Sequence, residues 1–149
     1  MFVIIGSDHA GLDLKKDVLD LLMDLGHEYA DYGTDTPQSV DYPDFGEKVA
    51  EAVAGGKADR GILICGTGIG MSIVANKFHD IRAALCNDLF SAKMSRLHND
   101  ANILVMGGRI IGKDLAKAIV STWMKTDFES GRHLNRLKKI SLIEQGLFL

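Results

Sequence analysis

A thiol followed by a glycine-rich loop is the segment of the chain that could most directly do chemistry. Residues 61–64 are apolar, Cys65 ends that run, and the loop 66–70 that follows reads Gly-Thr-Gly-Ile-Gly. A glycine loop that leads into a helix leaves backbone N–H groups free to hold a negative charge. A cysteine beside such donors can act as a base or a nucleophile. The segment therefore offers a reactive group next to a place where negative charge can be held.

Three further segments carry candidate groups. They are residues 8–11 (Asp-His-Ala-Gly), 98–100 (His-Asn-Asp) and 131–136 (Gly-Arg-His-Leu-Asn-Arg). Histidine is the side chain best suited to acid–base chemistry near neutral pH, so His98 is a candidate general acid. Arg132 and Arg136 lie four residues apart, so on a helix they share one face, where two guanidiniums could capture a phosphate. These residue types indicate proton transfer and phosphate binding.

Each of these groups also has a purely structural interpretation. Asp8 could cap the first helix, Cys65 could be a buried and inert thiol, and the two arginines could belong to a solvated charged face. The glycine loop lacks the spacing of a dinucleotide-binding fingerprint. The five histidines show no paired spacing of metal ligands, so we predict no metal site.

Hydrophobic periodicity predicts the elements that position these segments. The predicted strands are residues 2–6, 27–32, 61–65, 81–86 and 103–106. The predicted helices are residues 11–25, 43–54, 71–78, 88–97, 113–125 and about 129–145. Strands that alternate with helices predict a three-layer, doubly wound α/β fold. We expect a Rossmann-like parallel sheet of five strands, with helices on both faces and a C-terminal helix.

Length and composition fit one domain that spans residues 1–149. The net charge of −3 argues against a binder of nucleic acid or of membrane surfaces. Two cysteines, Cys65 and Cys86, are too few for a disulfide scaffold. The first residues lack the basic and apolar regions of a signal peptide, and no apolar run approaches the length of a membrane span. We therefore expect a cytoplasmic protein.

The predicted topology places the candidate groups at two edges of the sheet. Segments 8–11 and 65–70 follow strands, so they lie at the carboxyl edge, where ligands bind in such folds. His98 and Asn99 precede a strand, which places them at the opposite edge of the same monomer. A dimer could bring the two edges together.

The four segments fit one reaction if they converge on one small molecule. Arg132, Arg136 and His9 would bind a phosphate. Cys65 would act as the base, His98 would act as the acid, and the glycine loop would hold an oxyanion. This set matches aldose–ketose isomerisation of a sugar phosphate through an enediolate, and it requires no metal and no organic cofactor.

Five motifs resemble those of type B ribose-5-phosphate isomerase, and the resemblance runs nearly end to end. The motifs are residues 8–11 (Asp-His-Ala-Gly), 64–70 (Ile-Cys-Gly-Thr-Gly-Ile-Gly), 75–77 (Ala-Asn-Lys), 95–102 (Ser-Arg-Leu-His-Asn-Asp-Ala-Asn) and 131–133 (Gly-Arg-His). The resemblance implies interconversion of ribose 5-phosphate and ribulose 5-phosphate in the pentose phosphate pathway. It also implies a homodimer, with a tetramer as the alternative, whose active sites are shared between subunits.

The resemblance further implies roles for individual residues. Cys65 would move the proton between C2 and C1, and Thr67 would assist at the sugar hydroxyls. His98 would open the furanose ring as the acid, with Asp8 contacting the ring oxygens. The enediolate would be held by backbone N–H groups of Gly66, Thr67, Gly68, Ile69 and Gly70. The sugar and the phosphate would be bound by Asn99, His9, Arg109, Arg132 and Arg136. The partner subunit is expected to donate His98, Asn99 and Arg109.

Related and unrelated protein classes provide the alternatives. One branch of the family lacks the cysteine and carries a glutamate at the position of Met71, which is apolar here. Galactose-6-phosphate isomerase shares the glycine loop, but its subunits lack the His98-Asn99 pair and the 131–133 motif. Allose 6-phosphate is an alternative substrate. Outside the family, a receiver-like module would carry an acidic residue in place of Cys65, and a redox thiol protein would carry a C-x-x-C pair.

Overall fold

The computed structural model describes residues 1–147, so residues 148 and 149 of the expected domain lie outside the described residues. The strands are β1 (Phe2–Ser7), β2 (Glu28–Asp31), β3 (Arg60–Cys65), β4 (Ala83–Leu85) and β5 (Ile103–Gly107). The helices are α1 (Leu12–Asp24), α2 (Pro43–Ala54), α3 (Ile69–Ala75), α4 (Leu89–Asn99), α5 (Lys113–Lys125) and α6 (Arg132–Glu144). All strand pairs are parallel, in the order β2-β1-β3-β5-β4. The predicted doubly wound α/β fold is confirmed.

Alternation along each strand divides the core into two layers. In β3, Ile62 and Ile64 belong to the layer that α1 and α5 cover, where Trp123 is fully buried. Leu63 and Cys65 belong to the layer under α2 and α3. Because successive side chains of a strand point to opposite faces, this register fixes the face on which the thiol lies. None of the helices within residues 1–147 is long and apolar enough to span a membrane.

The strand order creates a switch point between β1 and β3. From β1 the chain passes through α1 to β2 on one side, and it then returns past β1 to form β3 on the other side. The segments after β1 and β3 therefore lead to opposite faces of the sheet, and a crevice opens between their carboxyl ends. Ligands bind at this position in open α/β sheets.

Helix α3 begins and ends earlier than the predicted 71–78. Gly68 adopts a φ of +81°, a left-handed conformation that glycine reaches without steric cost, and the helix starts directly after it. After Ala75 the chain leaves the helix. The side chain of Asn76 then donates to the carbonyl of Ala83 and accepts from its N–H, each at 2.9 Å.

Strand β4 is shorter than the predicted 81–86, and side-chain amides bind backbone groups around its start. Asn76 binds both backbone groups of Ala83, and the N–H of Arg82 donates to Oδ1 of Asn102 at 2.8 Å. Helix α6 begins at Arg132 instead of at about 129. Ser130 and Gly131 have φ values of +64° and +55°, which a right-handed helix does not accommodate.

Candidate active site

The ends of three adjacent strands are tied together at the carboxyl edge of the sheet. The N–H of Asp8, after β1, donates to the carbonyl of Ile64 in β3 at 3.3 Å. The N–H of Gly108, after β5, donates to the carbonyl of Cys65 at 2.8 Å, and the N–H of Arg109 donates to that of Gly66 at 3.0 Å. These bonds hold the segments after β1, β3 and β5 against one another, beside the switch point.

The thiol of Cys65 lies inside the turn that the glycine loop forms. Cys65 is 5% exposed, and its sulfur accepts a hydrogen bond from the N–H of Gly68 at 3.2 Å. A Cβ on Gly68 would stand 2.4 Å from Cδ1 of Leu85 and 3.0 Å from the backbone carbon of Met106. Glycine at this position is therefore required both by the positive φ and by the close packing. The turn therefore places a backbone N–H donor on the sulfur.

The remainder of the loop forms a turn beside the sulfur and leads into α3. The hydroxyl of Thr67 accepts from the N–H of Ile69 at 3.3 Å. Ile69 is the first residue of α3, and the first N–H groups of a helix have no acceptor within the helix. The ring of Tyr42 closes over Gly70, where a Cβ would come within 2.5 Å of it. These features fit an oxyanion site next to a base.

Asp8 and His9 are fixed by contacts that leave one side of each free for a ligand. Oδ1 of Asp8 accepts from the N–H groups of Ala10 and Gly11 at 2.9 and 3.1 Å, so the carboxylate caps this turn. Its second oxygen retains acceptor capacity. Nδ1 of His9 accepts from the N–H of Val40 at 3.2 Å, and a neutral ring then carries its proton on Nε2. His9 therefore presents an N–H donor on its other side.

Arg109 belongs to the same cluster as Cys65 within one chain. Its Cδ and Nε lie 3.7 and 3.9 Å from the position that a Cβ on Gly66 would occupy. The donation of Arg109 by the partner subunit stays a prediction. Arg109 stands three residues after the predicted strand 103–106, at the edge that also carries Asp8 and Cys65.

The other predicted residues form a second cluster at the opposite edge of the sheet. His98 and Asn99 are the last residues of α4, which runs antiparallel to the strands. The imidazole of His98 stacks on that of His133, with ring centroids 4.1 Å apart and planes 11° apart. Arg132 and Arg136 flank the same His133 ring. Strand β5 spans five residues, and at about 3.3 Å per residue the two edges lie roughly 13 Å apart along it.

His133 and Glu129 are members of this second cluster to which the sequence alone gave no role. The Nε2 atoms of His98 and His133 lie 3.9 and 3.7 Å from the same Oε2 of Glu129. Burial of His133 and the neighbouring His98, Arg132 and Arg136 lower the pKa of its imidazole below the ordinary 6.5, against an opposing contribution from Glu129. A neutral imidazole at this position is the consequence.

Comparison with known proteins agrees with this geometry. Residues 3–140 match the Ribose/Galactose Isomerase family. The chain belongs to this family. It is 53% identical to a putative sugar phosphate isomerase of Bacillus subtilis (strain 168), over 97% of this chain and 98% of the relative. It is 48% identical to ribose-5-phosphate isomerase B of Escherichia coli (strain K12), over 96% of each. The structure of ribose-5-phosphate isomerase B from Clostridium thermocellum superposes with a TM-score of 0.96 at 55% identity, covering 99% of this chain and all of that chain.

One group of side chains in this family member has the composition of a metal site. Within residues 1–147, the donor atoms of His98, Glu129 and His133 all lie within 4.8 Å of one another. The prediction of no metal-ligand spacing missed this group because its members come from different elements. Two guanidiniums contact His133, and the two imidazole planes are nearly parallel, so their lone pairs do not converge. The cluster fits a cation poorly and an anion well.

The second cysteine of the chain is not part of either cluster. Cys86 is a free thiol, 1% exposed, and burial raises its pKa to about 11 against a hydrogen bond with Ser95 that lowers it. A thiol in this environment is inert at neutral pH. Cys86 therefore serves as a matched control for Cys65.

Proposed function

We propose that this chain interconverts D-ribose 5-phosphate and D-ribulose 5-phosphate by proton transfer through an enediolate. The observation that carries the proposal is the Cys65 sulfur at the carboxyl end of β3, 3.2 Å from the Gly68 N–H in a loop of backbone donors. Relatives named ribose-5-phosphate isomerase B, at 48% and 43% identity, support the substrate. The activity is that of an isomerase in the pentose phosphate pathway.

In the proposed reaction Cys65 is the base. The thiolate takes the proton from C2 of the open aldose, the C–H electron pair forms the C1–C2 double bond, and O1 becomes negatively charged. Thr67 assists transfer of the hydroxyl proton from O2 to O1, and return of the proton from sulfur to C1 gives the ketose. Met71 is fully buried and apolar, which supports Cys65 as the base at this edge.

The glycine loop holds the charge that the base creates. Backbone N–H groups of Gly66, Thr67, Gly68, Ile69 and Gly70 are the proposed donors to the enediolate. A fixed set of N–H donors in a partly closed site stabilises a developing oxyanion without reorganisation. The ring of Tyr42 over Gly70 limits the space on that side of the substrate.

Ring opening and phosphate binding are assigned to the remaining residues. His98 protonates the ring oxygen of the furanose, with Asp8 and Asn99 on the sugar hydroxyls. The phosphate is bound by His9, Arg109, Arg132 and Arg136. Support comes from the first turn of α6, which carries Arg132 and no acidic residue, at a helix end that favours anions.

A homodimer with shared sites follows from the separation of the two clusters. Cys65 and His98 lie at opposite edges of one chain, so one substrate can meet both only if a second copy supplies one of them. Large apolar side chains are exposed beside both clusters, which supports a second copy as their cover. They include Ile69, Ile73, Leu89, Phe90, Ile110, Leu134 and Ile140. A tetramer is the alternative assembly. A single domain over residues 1–149 and a cytoplasmic location are part of the same proposal.

The test is an isomerase assay with the purified chain. Ketose formation from ribose 5-phosphate is followed with and without EDTA, beside allose 6-phosphate, galactose 6-phosphate and erythrulose 4-phosphate. The last compound is included because a D-erythrulose-4-phosphate isomerase is 44% identical to this chain. The highest kcat/KM on ribose 5-phosphate, unchanged by EDTA, is expected. A kcat/KM at least tenfold higher for another sugar phosphate would assign that compound as the substrate. Absence of activity on all four compounds would overturn the proposed function.

A further inference from the structure

His133 occupies an unusual position for a buried histidine. It lies in the first turn of α6, 2% exposed, between two guanidiniums and against the face of another imidazole. Nε of Arg132 is 3.5 Å from its Nε2, and Nη1 of Arg136 is 3.4 Å from its Nδ1. Both of its ring nitrogens therefore face arginine donors.

The chemistry of a neutral imidazole limits how these donors are satisfied. One ring nitrogen carries a proton and the other accepts, so His133 accepts from one arginine at a time. With the proton on Nε2, the ring accepts from Arg136 and donates toward Glu129, whose Oε2 is 3.7 Å away. The contacts of 3.4 and 3.5 Å exceed the usual hydrogen-bond distance of about 2.9 Å, so they can tighten when the arginines move onto an anion.

Holding both guanidiniums against one ring has a consequence for anion binding. Each guanidinium has five N–H donors, and a single contact with His133 leaves the others free for a phosphate. The ring of His133 sets the distance between the guanidiniums of Arg132 and Arg136. The imidazole of His98 stacks on the same ring. The position of His98 therefore depends on the ring that also sets the distance between the two arginines.

We propose that His133 is a positioning residue that links phosphate capture by Arg132 and Arg136 to the orientation of His98. The inference rests on the proposed function, in which the arginines bind the phosphate and His98 opens the ring. His133 itself touches neither the phosphate nor the reacting carbons. The groups that face it are Arg132 and Arg136 on α6, His98 on α4 and Glu129 in the segment before α6.

Two substitutions separate the hydrogen-bonding role of His133 from its stacking role. His133→Phe keeps a ring on His98 but cannot accept from an arginine, and we expect KM for ribose 5-phosphate to rise about tenfold with kcat within about threefold. His133→Asn keeps an acceptor near Nδ1 but loses the ring, and we expect kcat to fall about fivefold with a smaller change in KM. His133→Gln, which places an amide near Nε2, is the conservative variant and should recover much of the KM.

A phosphate-binding measurement makes the inference independent of turnover. Inorganic phosphate is expected to raise the thermal midpoint of the wild-type chain and to inhibit it competitively, and His133→Phe should raise the phosphate concentration needed for each effect about tenfold. His79, an exposed residue 3.8 Å from Glu144, provides matched control substitutions, His79→Phe and His79→Asn. These should leave KM, kcat and phosphate binding unchanged.

The outcomes distinguish the inference from the proposed function. Unchanged KM, kcat and phosphate binding in folded His133→Phe and His133→Asn, with only a lower thermal midpoint, would assign a structural role and overturn the inference. A wild-type chain whose phosphate binding is weakened by His133→Phe but which does not isomerise ribose 5-phosphate would overturn the function and support the positioning of the arginines by His133. A split in which His133→Phe mainly raises KM and His133→Asn mainly lowers kcat supports the inference.

Discussion

Mixing inactive variants is the sharpest test of how the site is divided between chains. Cys65 and His98 lie at opposite edges of one chain, so a shared dimer site takes one residue from each subunit. Cys65→Ala and His98→Asn should each retain about 1% of activity or less, because a positioned acid or base contributes about 10²–10⁴-fold. In a mixed dimer both defects fall in one site, and the other site is intact.

The expected recovery follows from random assembly. Co-expressed in equal amounts, the two variants form about half mixed dimers, and each mixed dimer has one intact site of two. The preparation should therefore recover about one quarter of the wild-type kcat, at the wild-type KM. Active-site titration of the purified mixed dimer, isolated with two different affinity tags, should find about half of the sites active.

The same experiment tests the position of Arg109. Arg109 lies beside Gly66 of its own chain. If it serves that chain's site, Cys65→Ala mixed with Arg109→Ala leaves one defect in every site and recovers nothing beyond the parents. If the partner subunit supplies it, as expected from the resemblance, this pair recovers activity. Cys65→Ala mixed with Arg136→Ala should recover activity as His98→Asn does. Failure of the first pair of variants to complement, with all proteins dimeric, would refute the shared site. Recovery of activity in the mixture of Cys65→Ala and Arg109→Ala would support donation of Arg109 by the partner subunit.

Three further predictions concern single residues. Cys65→Ala is expected to lower kcat about 10²–10⁴-fold with KM within about threefold, while Cys86→Ala stays near wild type; steady-state kinetics check this, and a tenth of wild-type activity in Cys65→Ala would remove the assigned base. Gly68→Ala should lower the free energy of unfolding by about 2–4 kcal/mol, from backbone strain and from overlap with neighbouring atoms. Gly26 has a φ of +73° and no atom near its Cβ position, so Gly26→Ala should lose only the part due to strain. Equal losses of unfolding free energy in denaturant titrations would contradict the packing argument. The free energy of unfolding should fall as pH is lowered from about 7 to 5. The unfolded chain protonates His133 at its ordinary pKa of 6.5, whereas the folded chain does so only at lower pH. The thermal midpoint of His133→Phe should therefore depend less steeply on pH over that range than the midpoint of the wild-type chain.

The sequence predicts those parts of the fold that depend on local pattern. Alternating strands and helices predict the parallel sheet, and the position of Asp8 and Cys65 directly after strands predicts that they share its carboxyl edge. Chain order does not reveal strand order. Arg109 lies beside the glycine loop because β5 pairs with β3, whereas β4 comes between them in the sequence.

The second cluster shows the same limit for helix packing. The spacing of Arg132 and Arg136 predicts a shared helix face, but it does not predict that α6 docks against the end of α4. That contact buries His133 and stacks it on His98. Element ends were missed where Asn76 and Asn102 satisfy backbone groups of β4 and where Ser130 takes a positive φ, since such side-chain and turn contacts have no periodic signal.

The polarity of a parallel α/β sheet gives a physical reason for dividing the proposed site. Cys65 and the glycine loop lie at the amino end of α3, where backbone N–H groups and the helix dipole favour negative charge. His98 lies at the carboxyl end of α4, where the helix dipole presents its negative end. A base that creates an enediolate needs the first environment, and an acid that protonates a ring oxygen needs the second. In one chain these environments occur at opposite edges of the sheet, so two chains that meet edge to edge can supply both to one substrate.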